Sequence, residues 1–280
     1  MLSSRKHLIN GVNYRVATHG DGDKTVLMLH GMPDTSAVWK HQIAPLVDAG
    51  YQVITPDMLG YGETEKPQDP ARYAGERVIA DLTALLEELD VGEMDIVGHD
   101  WGAYASWELV THLPQHFRKH VVISMGHPAI FFSDLSINVL KSNWYMYLAT
   151  QPKAVDLYTA DNCSFFREFI IPTHPDLNEV CARLSDPVAM QANLNWDTGN
   201  PLSVSFVVAR AGGLDYPKVT VPTLGIWSAG DAYLLEEHMM ASNAYLDAEW
   251  KYARLDAGSH WCMLDNPAET SREILSWLSG

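Results

Sequence analysis

An aspartate held between two glycines is the residue best placed for chemistry in this sequence. Asp100 is the centre of Gly98-His99-Asp100-Trp101-Gly102, which follows the apolar run 94–97 and precedes a segment of helical pattern. Glycines at both ends of such a turn let the chain bend so tightly that the central side chain is held above the end of a strand. The usual central residue is serine, so the carboxylate indicates a different nucleophile. An ordinary turn aspartate would need neither a buried strand before it nor a helix after it.

Two further polar stretches follow predicted strands and can complete a catalytic set with this aspartate. Asp231 ends the stretch 228–231, and His260 lies in the stretch 258–261, just after the last predicted strand. A histidine that a carboxylate holds in one tautomer is a general base. The sequence therefore predicts Asp100 as nucleophile, Asp231 as acid and His260 as base. Simpler roles stay open: a helix N-cap for Asp231 and a surface-loop position for His260.

The loop His30-Gly31-Met32-Pro33 follows an early buried strand and can present backbone N–H groups to an anion. The N–H groups of Met32 and Trp101 are predicted to form an oxyanion hole. His30 and Pro33 are expected at the substrate pocket, and the His30 ring is expected to hold the loop through hydrogen bonds rather than to transfer protons.

The elements that must position these residues alternate between strands and helices. A half-exposed strand is predicted at 12–16, and buried strands are predicted at 25–29, 51–56, 94–97, 120–125, 219–227 and 250–255. Helices are predicted at 74–89, 103–111, 234–243 and 268–278. This alternation predicts an α/β fold with a mostly parallel, doubly wound sheet, which binds ligands at the carboxyl ends of its strands.

Residues 127–200 differ from the rest of the chain, because they are rich in aromatic residues and lack a buried-strand pattern. We expect this stretch to be an inserted helical cap that covers the site. The predicted domains are therefore a core formed by 1–126 and 201–280, and a cap formed by 127–200.

The composition argues against several classes of function. The net charge of −16 would be repelled by nucleic acid and by an anionic membrane surface. The three cysteines and twelve histidines show no metal-ligand spacing, so neither a metal nor a cofactor is expected. No stretch resembles a signal peptide or a membrane span, which predicts a soluble cytoplasmic protein. The sequence does not decide whether the protein is a homodimer.

The sequence resembles the α/β-hydrolases of the epoxide hydrolase and haloalkane dehalogenase branch over essentially its whole length. The motifs that carry the resemblance, in family order, are His30-Gly31-Met32-Pro33, Asp57-Met58-Leu59-Gly60-Tyr61-Gly62, Gly98-His99-Asp100-Trp101-Gly102-Ala103, Gly126-His127-Pro128, Gly230-Asp231 and Ser259-His260-Trp261. The resemblance implies an α/β-hydrolase fold with an inserted helical cap. It also implies an alkyl-enzyme ester on Asp100, which water activated by His260 and Asp231 hydrolyses. A serine would leave an ether that such water could not cleave.

The resemblance further implies that the cap decides which bond is broken. Epoxide hydrolases use a pair of cap tyrosines to protonate the leaving oxygen, and the first would be Tyr145 in the stretch 143–147. The second tyrosine normally follows an Asn-Trp pair, but here Asp197 follows Asn195-Trp196. One hypothesis is that Asp197 stays protonated and donates a hydrogen bond as the missing phenol would. The alternative is that Asp197 points to solvent or caps a turn, and that Tyr145 acts alone or with Tyr147.

Halide departure is the competing chemistry, because it requires only N–H donors. Many dehalogenases have an asparagine after His-Gly, where this sequence has Met32, so Trp144 or Trp196 would have to line the pocket and bind the halide. We favour epoxides because of Gly126-His127-Pro128 and Tyr145. A third alternative, a catalytically idle ligand receptor, does not explain the intact nucleophile and base. The aromatic cap predicts a small apolar or aromatic substrate.

Overall fold

The structure, a computed structural model, describes residues 2–134, 136–202 and 216–280. Its strands are β1 (Leu2–Ile9), β2 (Val12–His19), β3 (Lys24–Leu29), β4 (Tyr51–Pro56), β5 (Met94–His99), β6 (Phe117–Ile123), β7 (Thr223–Gly230) and β8 (Trp250–Ser259). They form one eight-stranded sheet in the order β1-β2-β4-β3-β5-β6-β7-β8. The pairs β1·β2 and β2·β4 are antiparallel and the other neighbours are parallel. The predicted mostly parallel sheet is confirmed.

The helices connect the parallel strands and fill the long connection between β6 and β7. In the core they are α1 (Lys40–Asp48), α2 (Gly75–Leu89), α3 (Trp101–His112), α10 (Glu236–Ala241), α11 (Cys262–Asp265) and α12 (Pro267–Ser279). In the connection they are α4 (Pro128–Phe131), α5 (Ile137–Ser142), α6 (Trp144–Ala149), α7 (Ala154–Phe165), α8 (Leu177–Leu184) and α9 (Pro187–Gly199). Within the described residues no helix is both long and apolar enough to cross a bilayer.

The central strands are buried on both faces, as their continuous apolar sequences predict. All six residues of β5 are buried, and so are the last four of β3. A strand covered by helices on both faces has no solvent side, which is why its sequence does not alternate. The loops that leave the carboxyl ends of β3, β5, β7 and β8 carry the candidate site residues.

The first strand, β1, is an element that the sequence analysis does not predict. Seven of its eight residues lie at least partly exposed, so it has no buried pattern to recognise. It pairs with β2 through the turn Asn10-Gly11, where both residues have positive φ. Asn-Gly is a strong hairpin signal because both central positions of a type I′ turn require positive φ.

The strand predicted at 219–227 begins later than expected, at Thr223. Pro222 has no N–H to donate to a ladder, and Val219 forms only an isolated bridge with Leu246. The predicted return of the chain to the core at residue 201 is followed by residues 203–215, which lie outside the described residues. The described part of 127–200 contains helices and no strand, and its role as a separate cap stays a prediction.

Candidate active site

Asp100 lies in the turn between β5 and α3, in a backbone conformation that non-glycine residues rarely adopt. Its φ is 56° and its ψ is −123°. Close packing maintains this turn, since a Cβ on Gly98 would lie 2.4 Å from Ser106 Oγ and one on Gly102 would lie 2.2 Å from the Leu29 carbonyl oxygen. Because neither glycine has a Cβ, the strands and α3 can pack closely at this turn. The Asp100 side chain is thereby held above the edge of the sheet.

The loop after β3 holds one oxygen of the Asp100 carboxylate. The Met32 backbone N–H donates to Asp100 Oδ1 at 2.7 Å. A Cβ on Gly31 would lie 2.2 Å from this oxygen and 2.6 Å from the Trp101 backbone nitrogen, so only glycine permits this arrangement. Asp100 Oδ1 thus lies against the backbone N–H of Met32, one of the two predicted oxyanion-hole donors, and Oδ2 does not share this contact.

His260 lies between the two carboxylates, as the sequence predicts. Its Nδ1 donates to Asp231 Oδ2 at 2.9 Å, and its Nε2 lies 3.6 Å from Asp100 Oδ2. The other oxygen of Asp231 accepts from the backbone N–H groups of Tyr233 and Leu234. Asp231 therefore fixes its own turn and also orients His260, so the turn-capping contacts do not exclude the predicted catalytic role. His260 is 2% exposed and does not occupy a surface loop position.

The charges of the site favour a protonated His260 in the free protein. Burial lowers the pKa of His260, but the charges of Asp231 and Asp100 and their hydrogen bonds outweigh burial and raise it to about 10. Burial raises the pKa of Asp231, but the His260 charge and the hydrogen bonds to Asp231 outweigh it, and the pKa is lowered. Burial lowers the pKa of His99 to about 4, and this neutral ring lies 3.0 Å by its Nε2 from the His260 carbonyl oxygen.

Two cavities meet at Asp100 and Tyr145. The first is lined by Met32, Pro33, Asp100, Tyr145, Ile170, Ile171, Tyr233, His260 and Trp261. The second is lined by Asp100, Trp101, Met125, Phe131, Phe132, Asn143, Tyr145, Met146, Asp197 and Leu234. The structure thus brings the predicted residues Met32, Pro33, Trp101, Tyr145 and Asp197 together around the nucleophile.

Asp197 is buried beside the second cavity and does not point to solvent. It is 1% exposed, and neither carboxyl oxygen has a hydrogen-bond partner among the described residues. Burial raises the pKa of Asp197 to about 8, the charge of Asp100 adds to the rise, and the Trp101 side chain opposes it. Burial, together with the charges of Asp197 and Asp100, also raises the pKa of Tyr145 well above its ordinary value. Both groups are therefore potential proton donors.

Three residues expected at the pocket border neither of the two cavities. His30 Nε2 accepts from the Met58 backbone N–H at 2.9 Å, so the buried ring holds the loop and borders neither cavity. The Trp196 indole N–H donates to the Leu59 carbonyl oxygen at 2.9 Å. Trp144 is 40% exposed on the outer side of α6. None of the three borders either of these two cavities, and their assignment to the substrate pocket stays a prediction.

Tyr233 is a site residue that the sequence analysis misses. Its ring lies 5.0 Å from the His260 ring and 5.8 Å from the Tyr145 ring, measured between centroids. Its hydroxyl donates to the Ile170 carbonyl oxygen at 2.6 Å. The available signal was its position two residues after Asp231. Both residues lie in one turn, in which the Asp231 carboxylate accepts from the Tyr233 backbone N–H.

Asp34 is also missed, although it follows the predicted oxyanion loop directly. Its two oxygens accept from the Trp261 indole N–H at 3.0 Å and from His174 Nε2 at 3.1 Å. No sequence signal links residues so far apart in the chain. Among the described residues, no group of three or more His, Cys, Asp or Glu side chains is placed to hold a metal ion.

Comparisons with known proteins agree with this geometry. The alpha/beta hydrolase fold family matches residues 24–267. The chain is 30% identical to the AB hydrolase superfamily protein YfhM of Bacillus subtilis, over 96% of this chain and 95% of that protein. It is 25% identical to Epoxide hydrolase A of Mycobacterium tuberculosis, with coverage of 97% and 95%. A solved structure from a study of novel epoxide hydrolases in hot-environment metagenomes superposes with a TM-score of 0.90 at 23% identity, over 100% of this chain and 99% of that one.

Proposed function

This chain belongs to the α/β-hydrolase fold family, and we propose that within it the protein is an epoxide hydrolase, which opens epoxides to vicinal diols. One observation carries the proposal: Asp100 has one oxygen bound by the Met32 N–H and the other facing His260, beside a cavity that contains Tyr145. Relatives named epoxide hydrolases support the choice of substrate class.

The first half of the proposed reaction is displacement at a saturated carbon. Asp100 Oδ2 attacks an epoxide carbon, while Oδ1 stays bound to the Met32 N–H. The C–O bond of the ring breaks, and its electron pair goes to the epoxide oxygen. Tyr145 supplies a hydrogen bond to that oxygen, which takes up a proton to become the first product hydroxyl; the proton that His260 releases after esterification balances this uptake. The product of this half is an ester of Asp100.

The second half requires a neutral His260, and the first half produces it. Esterification removes the charge of Asp100, which is one of the two charges that raise the pKa of His260. Neutral His260, oriented by Asp231, then takes one proton from a water that attacks the ester carbon. The oxyanion develops on Oδ1, where the N–H groups of Met32 and Trp101 stabilise it, typically by about 3 to 4 kcal/mol per donor. As the ester breaks, the product takes the second proton of that water.

The surroundings of the site suggest its substrates. We propose that residues 127–200 act as a cap and that the substrate is small and apolar or aromatic, because Phe131, Phe132 and Met146 line the second cavity. The reaction consumes only the epoxide and water. A cytoplasmic location, which is part of this proposal, is supported by the three free and buried cysteines.

The test traps the ester. A His260→Gln variant is incubated separately with styrene oxide and with 1-bromobutane, and the intact protein and its peptides are weighed. We expect the full mass of styrene oxide to be added on Asp100. An adduct from the bromide alone would identify a dehalogenase, and no adduct with either would favour a receptor. Asp100→Asn in the same background is the control that should give no adduct.

Halide binding has less support in this structure. The Met32 side chain has no N–H, and the Trp196 indole N–H is already bound to the Leu59 carbonyl oxygen. Trp144 borders neither cavity. The N–H donors that the dehalogenase alternative needs from these positions are therefore not directed at the nucleophile.

A further inference from the structure

Asp197 stands apart from the other buried aspartates of the described chain. Each of those has at least one hydrogen bond to its carboxylate: Asp34, Asp57, Asp81, Asp95 and Asp231. Asp197 is equally buried, yet among the described residues neither of its oxygens has a partner at hydrogen-bond geometry. An ionised carboxylate in this position would have lost its water with only the Trp101 side chain to compensate, which is unfavourable. The geometry therefore favours the neutral acid, whose O–H remains to be donated.

The free acid group borders the cavity that contains the nucleophile. Asp100, Tyr145 and Asp197 all line this cavity, and most of its remaining wall is apolar. Two other polar side chains line it. Asn143 donates its amide N–H to the carbonyl oxygens of Val139 and Tyr233, and Trp101 interacts with the Asp197 carboxyl group through an indole N–H that does not give up its proton. A ligand whose carbon contacts Asp100 would therefore place its oxygen among two potential donors, the Tyr145 phenol and the Asp197 acid.

Other hydroxyl groups near the nucleophile are less suited to this task. The Tyr233 hydroxyl already donates to the Ile170 carbonyl oxygen at 2.6 Å. Tyr147 is absent from the walls of both cavities. Tyr61 has a buried hydroxyl without a partner among the described residues, but it too is absent from both walls.

We propose that Asp197, as a neutral carboxylic acid, binds the epoxide oxygen together with Tyr145 and transfers its proton to that oxygen as the ring opens. This inference rests on the proposed function and adds a second catalytic proton donor to it. Asp197 would thus be a carboxylic acid doing at this position what a phenol does in the family that the chain resembles.

The proton balance closes over one turnover. In the first half Asp197 loses its proton to the new alkoxide and becomes a carboxylate. Once Asp100 is esterified, His260 releases its proton. Asp197 takes up one proton and is again a neutral acid, so the release and the uptake balance. In the second half one proton of water goes to His260 and the other goes to the second product hydroxyl. Asp100 is then again a carboxylate and His260 is again protonated.

The acid form has a defined pH range. Asp100 faces Asp197 with a negative charge, while Tyr145, Tyr158 and Tyr61 stay neutral because burial raises their pKa values. The charge of Asp100 and the loss of hydration keep Asp197 protonated up to about pH 8. Ring opening should therefore slow as the pH rises above this value.

The experiment measures ester formation directly, in the His260→Gln background, where the ester accumulates. The rate of adduct formation from styrene oxide is followed by mass spectrometry at a series of pH values on both sides of pH 8. We expect a fast rate below about pH 8 and a decline above it. Adding Asp197→Asn should slow the reaction below that pH by about 100-fold, a typical effect of a general acid, and should abolish the decline.

Two further variants separate this role from a structural one. Asp197→Tyr restores a phenol and should recover most of the rate, with the decline moved to higher pH. Asp156→Asn replaces an exposed cap acid and should leave the rate unchanged. An infrared difference spectrum between the parent and Asp197→Asn should show a protonated carboxyl band at neutral pH.

The outcomes distinguish this inference from the proposed function. No adduct in the His260→Gln parent would overturn both. An adduct that forms equally fast after Asp197→Asn, or a difference spectrum without the protonated carboxyl band, would overturn the role of Asp197 alone and leave the Asp100 chemistry in place.

Discussion

The ionisation of His260 depends on its two carboxylate neighbours, and the substrate removes one of them. Burial alone would favour the neutral ring, yet the charges of Asp231 and Asp100 raise the pKa to about 10. A permanent imidazolium could not accept a proton from water. In the proposed mechanism, esterification of Asp100 therefore has two effects: it holds the substrate covalently, and it allows His260 to become the neutral base.

We expect Asp100→Asn to lower the pKa of His260 substantially, because the variant imitates the charge loss on esterification. Nuclear magnetic resonance titration of the His260 ring gives this pKa in both proteins. In the parent, folding takes up a proton on His260 between its ordinary pKa of 6.5 and about 10. The stabilisation from the ion pairs is thus complete below pH 6.5 and is lost as the pH rises towards 10.

A comparison with Asp34→Asn serves as the control for this titration. Asp34 is another buried carboxylate of the site, but it contacts His174 and Trp261 rather than His260. Its substitution should change the pKa of His260 much less. Equal pKa values in the parent and in Asp100→Asn would contradict the proposed release of the base.

At the residue scale, the sequence predicts those groups whose position follows from a turn at a strand end. Asp100, Asp231 and His260 belong to this class, since each follows a strand and each strand could be recognised. The ring contacts of His30 and Trp196 could not be predicted, because a residue's place in a loop or helix does not determine which way its ring packs. Their ring nitrogens bind the Met58 N–H and the Leu59 carbonyl oxygen, and these contacts depend on the folded structure.

At the element scale, the junction of β5 and α3 depends on close contact between backbones. A Cβ on Gly102 would lie 2.2 Å from the Leu29 carbonyl oxygen. A larger residue at this position would therefore force β3 and α3 apart. We expect Gly102→Ala to lower the free energy of unfolding by about 1 to 3 kcal/mol, the usual cost of overpacking. It should also slow ester formation, because Asp100 moves with the helix.

Gly92→Ala is the matched control, because nothing lies within 4 Å of a Cβ at that position. Its effect on the unfolding free energy should stay within about 0.5 kcal/mol. Denaturant unfolding and the trapped-ester assay measure both consequences. If the two variants proved equally stable and equally reactive, the backbone contact could not be what fixes the turn.

The strands differ in how clearly their sequences indicate burial. Strands β3, β4 and β5 are apolar and continuous, so they could be predicted almost to their ends. The edge strand β1 carries the polar sequence Ser3-Ser4-Arg5-Lys6, and its pairing with β2 is not visible in any burial pattern. Edge strands of this kind are set by the partner strand and the turn rather than by their own side chains.

At the scale of the whole molecule, the α/β-hydrolase fold explains why the site residues meet. They come from loops spread over most of the chain, but the parallel strands of one sheet bring the carboxyl ends of β3, β5, β7 and β8 to one edge. The order of motifs along the sequence was therefore enough to predict the fold, and the contacts between Asp100, His260 and Asp231 agree with the catalytic set that it predicts. The residues proposed to contact the leaving oxygen could not be located from motif order in the same way. The positions of the Tyr145 and Asp197 side chains depend on how α6 and α9 pack over the sheet.

A buried hydrogen bond joins Asp34, in the loop after β3, to His174, in the segment before α8. This buried bridge connects the loop that carries Met32 to the helical connection between β6 and β7. His174 Nδ1 accepts from the Asp176 backbone N–H, so its Nε2 carries the proton that Asp34 accepts. His174→Leu would leave one oxygen of a buried carboxylate without its donor. We expect the free energy of unfolding to fall by about 1 to 3 kcal/mol, since a buried unpaired acceptor costs that much.

An exposed ion pair between the same two regions provides the control. Lys40 Nζ lies 2.5 Å from Asp176 Oδ2, but both side chains are partly in water, so Asp176→Asn should cost less than about 1 kcal/mol. Ester formation should also slow in His174→Leu, because Asp34 follows Met32 closely and the same carboxylate holds Trp261 beside His260. Equal losses of stability and rate in the two variants would mean that the buried bridge contributes no more than a surface contact, and that other contacts align the segment before α8 with the loop after β3.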